Sequence, residues 1–184
     1  MKKLLLGITA AAAILTTQAS ASMFSEYGYQ HIGPTYVSVD SIDGYGVTYG
    51  AGLDIPVFKN KVQGVTLGGE FNVDFFGLDS DNEYDFSSFA YGGDIQLTAG
   101  YSFNDKFKVP VQLKVGVGYN YLNLNSDVYT YGVEYRVSAD YSFTDKFSAE
   151  VSYRATPGAT LSINGYTAPD VDTSVTGLYF NWKI

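Results

Sequence analysis

Residues 109–121 read Val-Pro-Val-Gln-Leu-Lys-Val-Gly-Val-Gly-Tyr-Asn-Tyr. Every odd position is aliphatic or aromatic; every even position is polar, glycine or proline. A repeat of two residues is that of a β-strand, whose successive side chains point to opposite faces. Residues 129–143 repeat the pattern, with Tyr129, Tyr131, Val133, Tyr135, Val137, Ala139, Tyr141 and Phe143 on one face. Thr130, Gly132, Glu134, Arg136, Ser138, Asp140 and Ser142 lie on the other. The same alternation runs through 45–57 and 89–103. Across these four segments the apolar face has 30 positions and carries no charge.

Four less regular segments bring the set to eight strands: 62–76, 147–155, a last one through Leu178, Phe180, Trp182 and Ile184, and a first one near 27–39. In the first, Pro34 and the Ile32/Tyr36 pair leave the facing open and predict a bulge or an edge irregularity. The connectors 58–61, 104–106 and 144–146 are short. Those at 77–88 and 161–174 are longer and acidic, and 40–44 and 122–127 are intermediate. Short turns at one end and longer loops at the other predict an all-β, eight-stranded antiparallel up-and-down barrel. The stretch Tyr101-Ser-Phe-Asn-Asp-Lys-Phe107 recurs as Tyr141-Ser-Phe-Thr-Asp-Lys-Phe147, which marks two equivalent hairpin turns.

Alternation does not say which face is buried. An eight-stranded barrel is just wide enough for side chains to fill its interior. The apolar face holds too many Tyr and Phe residues to fit inside, whereas the Gly-, Ser- and Thr-rich face fits. Thirteen residues tilted at about 45° rise roughly 30 Å, one hydrocarbon core. Aromatics also gather at the strand ends: Phe58, Phe103, Phe107, Phe143 and Phe147 by the short turns, Tyr45, Tyr91, Tyr119, Tyr121, Tyr129 and Tyr131 by the loops. Two aromatic belts around an aliphatic band are what two membrane interfaces select. The barrel therefore faces lipid with its apolar side.

The N-terminus fits export. Lys2 and Lys3 precede an apolar stretch from Leu4 to Leu15, and Ala19-Ser20-Ala21 has the small-x-small form of a cleavage site. Twelve apolar residues are too few for a spanning helix, which needs about 20. The expected division is a signal peptide over 1–21 and the barrel over 22–184. Removing two lysines takes the formal charge from -8 to -10. So acidic a chain is a poor nucleic-acid binder. With no cysteine, disulfides, a thiol nucleophile and a lipoprotein anchor on cysteine are excluded. The 17 tyrosines, 12 phenylalanines and 20 glycines fit many strands of one periodic type.

On its signal peptide, eight alternating strands, Tyr-Ser-Phe-Asn-Asp-Lys-Phe turn and C-terminal strand, the chain resembles the small outer-membrane barrels related to the OmpA transmembrane domain and OmpX. The resemblance spans the expected mature chain and implies the cell outer membrane, both termini in the periplasm, insertion by the barrel-assembly machinery, and lipid and lipopolysaccharide as surroundings. Members of that family commonly end in Phe or Trp; here Trp182 is followed by Lys183 and Ile184. No peptidoglycan-binding domain is expected after the barrel.

The inward set carries the candidate site. Asp54, Glu70, Asp74, Asp94, Glu134, Asp140 and Glu150 meet Lys114, Arg136 and Arg154, with Lys108 and Lys183 near the short-turn end. Charges in so narrow a space are expected to pair. The favoured expectation is an ion-pair plug in a monomeric barrel with a structural role and surface loops for contacts. Rivals are an adhesion protein and a narrow gated pore, as proposed for OmpA relatives. Lipid A-modifying barrels combine a histidine with a serine and a carboxylate, but no matching serine motif accompanies the single His31. No enzyme activity, cofactor or metal is expected. The loop Asp79-Ser-Asp-Asn-Glu-Tyr-Asp85 is rich in oxygen ligands but lacks the glycine and spaced glutamate of an EF-hand, so it reads as a solvated acidic loop. Inward glycines such as Gly46, Gly116, Gly118 and Gly132 are read as making room inside the barrel.

Overall fold

The computed structural model describes residues 25–40, 42–57, 64–79, 89–103, 109–125, 127–168 and 170–184. The expected signal peptide over 1–21 and most of the acidic loop 79–85 lie outside them. The strands are β1 (Gly28–Val39), β2 (Ile42–Pro56), β3 (Val65–Leu78), β4 (Phe89–Ser102), β5 (Val111–Asn125), β6 (Val128–Ser142), β7 (Phe147–Ile163), β8 (Tyr166–Thr167) and β9 (Val171–Lys183). All pairings are antiparallel, each barrel strand pairs with its neighbours in sequence, and β1–β9 closes the ring. Eight strands form the wall; β8 is a short addition to the end of β7.

Following hydrogen-bonded partners once around the wall leads from Tyr45 through Tyr36, Thr176, Tyr153, Val137, Val115, Ala99 and Leu67 to Ile55, a shear of ten residues on β2. At about 3.3 Å per residue and about 4.8 Å between strands, that shear tilts the strands by roughly 40°. Each residue then climbs about 2.5 Å along the barrel axis, and the outward run Val111–Tyr121 covers about 25 Å, the height of an outer-membrane apolar band.

The facing follows the volume argument. Leu97, Val115, Val137 and Val151 are exposed on the outside, while Glu70, Asp74, Asp94, Glu134, Arg136, Glu150 and Arg154 are buried inside. Aromatic pairs mark both rims: Tyr36–Tyr45 and Tyr121–Tyr129 at the loop end, Tyr101–Phe103 and Tyr141–Phe143 at the turn end.

Three expectations change. First, β1 has no register shift against β2 or β9; its only irregularity is that Gly33 and Pro34 lack partners on β9, as a proline without an N–H requires. Pro34 and Ile32 face out, and Tyr29 and His31 face in. The shifts lie elsewhere, notably between Thr156 and Ala159 of β7, around Pro157 and Gly158. Second, connector length does not sort cleanly by end. β1 and β2 are joined at the loop end by two residues, whereas β2 and β3 are eight residues apart at the turn end. At the loop end the strands themselves run on. Third, the interior is not polar throughout. Val37, Val39, Ile42, Phe76, Leu78, Ala90, Leu122, Leu124 and Val175 form a buried apolar cluster at the loop end.

That cluster marks the rim of the membrane. On β5, alternation keeps apolar residues outside up to Tyr121, then reverses: Leu122 and Leu124 turn in, Asn123 and Asn125 turn out. On β1, Val37 and Val39 face in and Ser38 faces out; on β9, Val175 faces in and Ser174 out. Lipid rewards apolar residues outside, water rewards them inside, and the pattern reverses where one solvent replaces the other. Placing arginine at outward positions tests that boundary. Leu97→Arg in mid-belt should cost about 2–4 kcal/mol in urea unfolding from lipid vesicles, and Asn123→Arg no more than about 1 kcal/mol. Equal costs would refute the boundary.

Candidate functional site

The lumen is built in layers. Lowest, at the turn end, Lys114 Nζ lies 2.6 Å from Asp54 and 4.3 Å from the centre of the Tyr29 ring. Beside it Asp140 accepts hydrogen bonds from Ser148 Oγ at 2.7 Å and Asn181 Nδ2 at 2.5 Å. Above this, Arg136 bridges Glu70 and Glu150. Glu70 also accepts from Tyr29 Oη at 2.6 Å and Asn72 Nδ2 at 2.9 Å.

Next, Arg154 Nη2 reaches Asp74 at 2.7 Å, while its Nη1 pairs with Asp94. Thr48 donates to Asp74, and Asn72 links Asp94 to Glu70. Gln96 donates to Glu134. The apolar cluster tops the stack.

All ten inward residues named from the sequence lie in this lumen, yet pairing is incomplete. Seven carboxylates face three cations, and among the described residues Glu134 and Asp140 have no cation within 4.0 Å. Glu134 and Arg136, two apart on one face of β6, are not partners; Arg136 reaches across to β3 instead. Lys183, expected near the turn end, is exposed there, and Lys108 lies outside the described residues.

The interior network named from the sequence consisted of charges alone and did not include Tyr29, Asn72, Gln96, Tyr179 and Asn181, and the facing of His31 was left open. His31 is fully buried, its ring stacks 4.8 Å from that of Tyr179, and its Nε2 is 2.8 Å from Asn72 Oδ1. An imidazole facing an amide oxygen holds its proton on Nε2. Parity could have found it: Tyr29, His31, Gly33 and Thr35 share one face of β1. Of the inward glycines named from the sequence, Gly116 and Gly132 leave room for lumen side chains, since a Cβ would lie 2.8 Å from Gln96 Oε1 and 2.7 Å from the Thr156 side chain, whereas at Gly46 and Gly118 the nearest atom is a backbone oxygen of the next strand. A Cβ on Gly50 would lie 2.3 Å from both His31 Nε2 and Asn72 Oδ1, and one on Gly177 would lie 2.4 Å from the Tyr179 ring. No group of three or more His, Asp or Glu among the described residues is placed to hold a metal ion.

Neither a family model nor a curated protein sequence matches the chain. Solved structures do. Neisserial surface protein A is 15% identical with a TM-score of 0.55, over 85% of this chain and 97% of that one. Ail, the attachment invasion locus protein of Yersinia pestis, is 11% identical with a TM-score of 0.54, over 84% and 96%. Ail in complex with the heparin analogue sucrose octasulfate gives 12% and 0.51, again over 84% and 96%. The chain thus has the fold of the small bacterial outer-membrane barrels, and its apolar outer wall suits that membrane.

The buried arginines yield a test. Arg154→Met leaves Asp74 and Asp94 without their cation and should cost about 3–5 kcal/mol in unfolding from lipid vesicles. Adding Asp74→Asn and Asp94→Asn should recover most of the loss. A single variant as stable as the parent would show that the Arg154 bridge does not brace the wall.

Proposed function

We propose that the protein is a non-conducting, monomeric structural barrel of the outer membrane, with no catalytic role, whose loop end is available for contacts. One observation carries the reading: between the turn-end vestibule and the loops, the lumen is crossed by the Arg136 and Arg154 bridges and then filled by the apolar cluster. A pore would need to break ion pairs and also wet a packed hydrocarbon layer. Burial of His31 beneath Tyr179, with Asn72 on its Nε2, supports the absence of hydrolytic chemistry. On this reading the partners are the surrounding lipid, including lipopolysaccharide, and the barrel-assembly machinery during insertion.

A contact role has its own support. Tyr166 is 80% exposed beside the Asn164-Gly165 turn, whose two residues both have positive φ as a tight hairpin demands. The loop-end connectors 40–41, 79–88, 126–127 and 164–170 contain seven acidic residues and no Lys or Arg. Such a surface suits a cationic partner and repels a polyanion such as the ligand in the Ail complex.

Planar-bilayer recording separates plug from pore. The parent protein and the Arg136→Ala, Glu134→Ala double variant should both lack stepwise conductance, because the apolar layer persists in each. Steps in the parent would overturn the structural reading.

A further inference from the structure

The apolar outer wall is not equally tall around the barrel. On β5 the outward positions stay aliphatic or aromatic from Val111 to Tyr121, and on β6 from Tyr141 to Tyr129. On β9 the outward apolar run reads only Ile184, Trp182, Phe180 and Leu178; the next two outward positions are Thr176 and Ser174. On β7 the run ends at Ala155, just before the irregularity at Pro157 and Gly158. On β1 it comprises Ile32, Pro34 and Tyr36, between Ser38 above and Gln30 below, whose amide oxygen accepts from Tyr49 Oη at 2.9 Å.

The ladders give relative heights. At a tilt of roughly 40°, each residue along a strand counts about 2.5 Å, and each step to a partner, taken from β9 through β7, β6, β5 and β4, descends about 3 Å. Leu178 pairs with Val151, Val151 with Ala139, Ala139 with Leu113 and Leu113 with Tyr101. Tyr121, further up β5 than Leu113, therefore stands about 10 Å higher than Leu178. At the turn end the rim is level: Trp182, Tyr141 and Tyr101 lie within about 3 Å of one height. Tilting the whole barrel moves both rims on one side together, so no tilt matches a level lower rim to an uneven upper one.

We propose that the loop-end part of the β9 wall, with its flanks on β7 and β1, is a lipid-interaction surface that draws the loop-side leaflet down to Thr176 and thins the bilayer on this side of the barrel. A wall shorter than the hydrocarbon core is matched by thinning of the bilayer around it, at a modest cost per ångström. The groups at this height suit lipid polar groups and water. Ser174 pairs with Ser38 and Ala155, and Thr176 with Tyr36 and Tyr153, which places hydroxyls and small side chains together between two tyrosines. From Ser174 down to Phe180 the outward face of β9 carries no charge that would select a charged partner. Through Leu178 and Phe180 the surface is continuous with the lipid-facing belt. It is the same whether or not the lumen conducts.

Two pairs of positions test this. By the same ladders Tyr119 on β5 lies within about 1 Å of the height of Thr176, and Val117 within about 1 Å of that of Leu178. The chain has no cysteine, so Thr176→Cys, Tyr119→Cys, Leu178→Cys and Val117→Cys each accept one nitroxide label. Each labelled protein is placed in dimyristoylphosphatidylcholine vesicles, and the depth of the label is read from its collisions with oxygen and with a nickel chelate. The Thr176 label should lie at headgroup depth and the Tyr119 label about 5 Å deeper, with an offset of the same sign between Leu178 and Val117. Labels on Trp182→Cys and Tyr141→Cys should lie at equal depth. Equal depth within either upper pair overturns the proposal. So does an opposite offset at the lower rim, which would mean a tilted barrel in a flat bilayer. A Thr176 label shielded from both reagents also overturns it, by seating a second copy of the chain on this wall. Either upper pair decides the matter should a variant of the other fail to fold.

Discussion

The rest of the structure depends on the satisfaction of backbone hydrogen bonds in a solvent that offers none. Hydrocarbon cannot accept from an N–H or donate to a C=O, so a strand crossing it must pair on both edges. A sheet meets that condition only by closing, and closure here is the β1–β9 seam between the first and last strands. The seam holds its register from Tyr29/Lys183 to Val39/Thr173 although Pro34 lacks a donor. Closure with eight strands and a shear of ten in turn fixes the width of the lumen, and that width decides which side chains can face inward.

A lumen this narrow cannot hold the aromatic face, so the polar face must enter it, and its charges must be compensated there. Beyond the membrane the requirement reverses. The strands continue into water, where an empty polar lumen would bring no stabilisation, and the inward positions become Val, Leu, Ile and Phe. One wall therefore obeys two opposite rules along its length. The change from one to the other accounts for the short β1–β2 and β5–β6 connections: the projecting parts are extensions of strands, held by a small core of their own.

Much of the wall was legible because alternation is a local signal. Residues 109–121 announce their period and their facing without reference to any other strand. The lumen was legible residue by residue but not pair by pair. That Arg154 meets Asp74 and Asp94, 80 and 60 residues away, follows from the shear of the barrel, which no single strand reveals. His31 and Tyr29 escaped because Pro34, Ile32 and Tyr36 blur the parity of β1. The apolar cluster escaped for a different reason. Ile42, Leu78, Leu122 and Leu124 fall in segments read as connectors, 40–44, 77–88 and 122–127, because the outward apolar alternation stops before them although the strands run on.

The placement of the two lumen arginines explains why the interior carries more acid than base. Arg136 and Arg154 are direct cross-strand partners on β6 and β7, an arrangement that repels when both are charged. Neither can be neutralised by the other's neighbourhood alone, and each draws a pair of carboxylates: Glu70 and Glu150 for one, Asp74 and Asp94 for the other. Three of those four acids lie on β3 and β4, across the lumen. The repulsion between neighbouring guanidinium groups is thereby offset by bonds that tie opposite walls together. A guanidinium suits this role better than an ammonium, because its planar fork can address two carboxylates at once. Two acids per arginine then produce an acidic lumen as a by-product of bracing it. Asp140 lies outside that scheme, opposite Glu150 in the ladder, where Ser148 and Asn181 donate to it in place of a guanidinium.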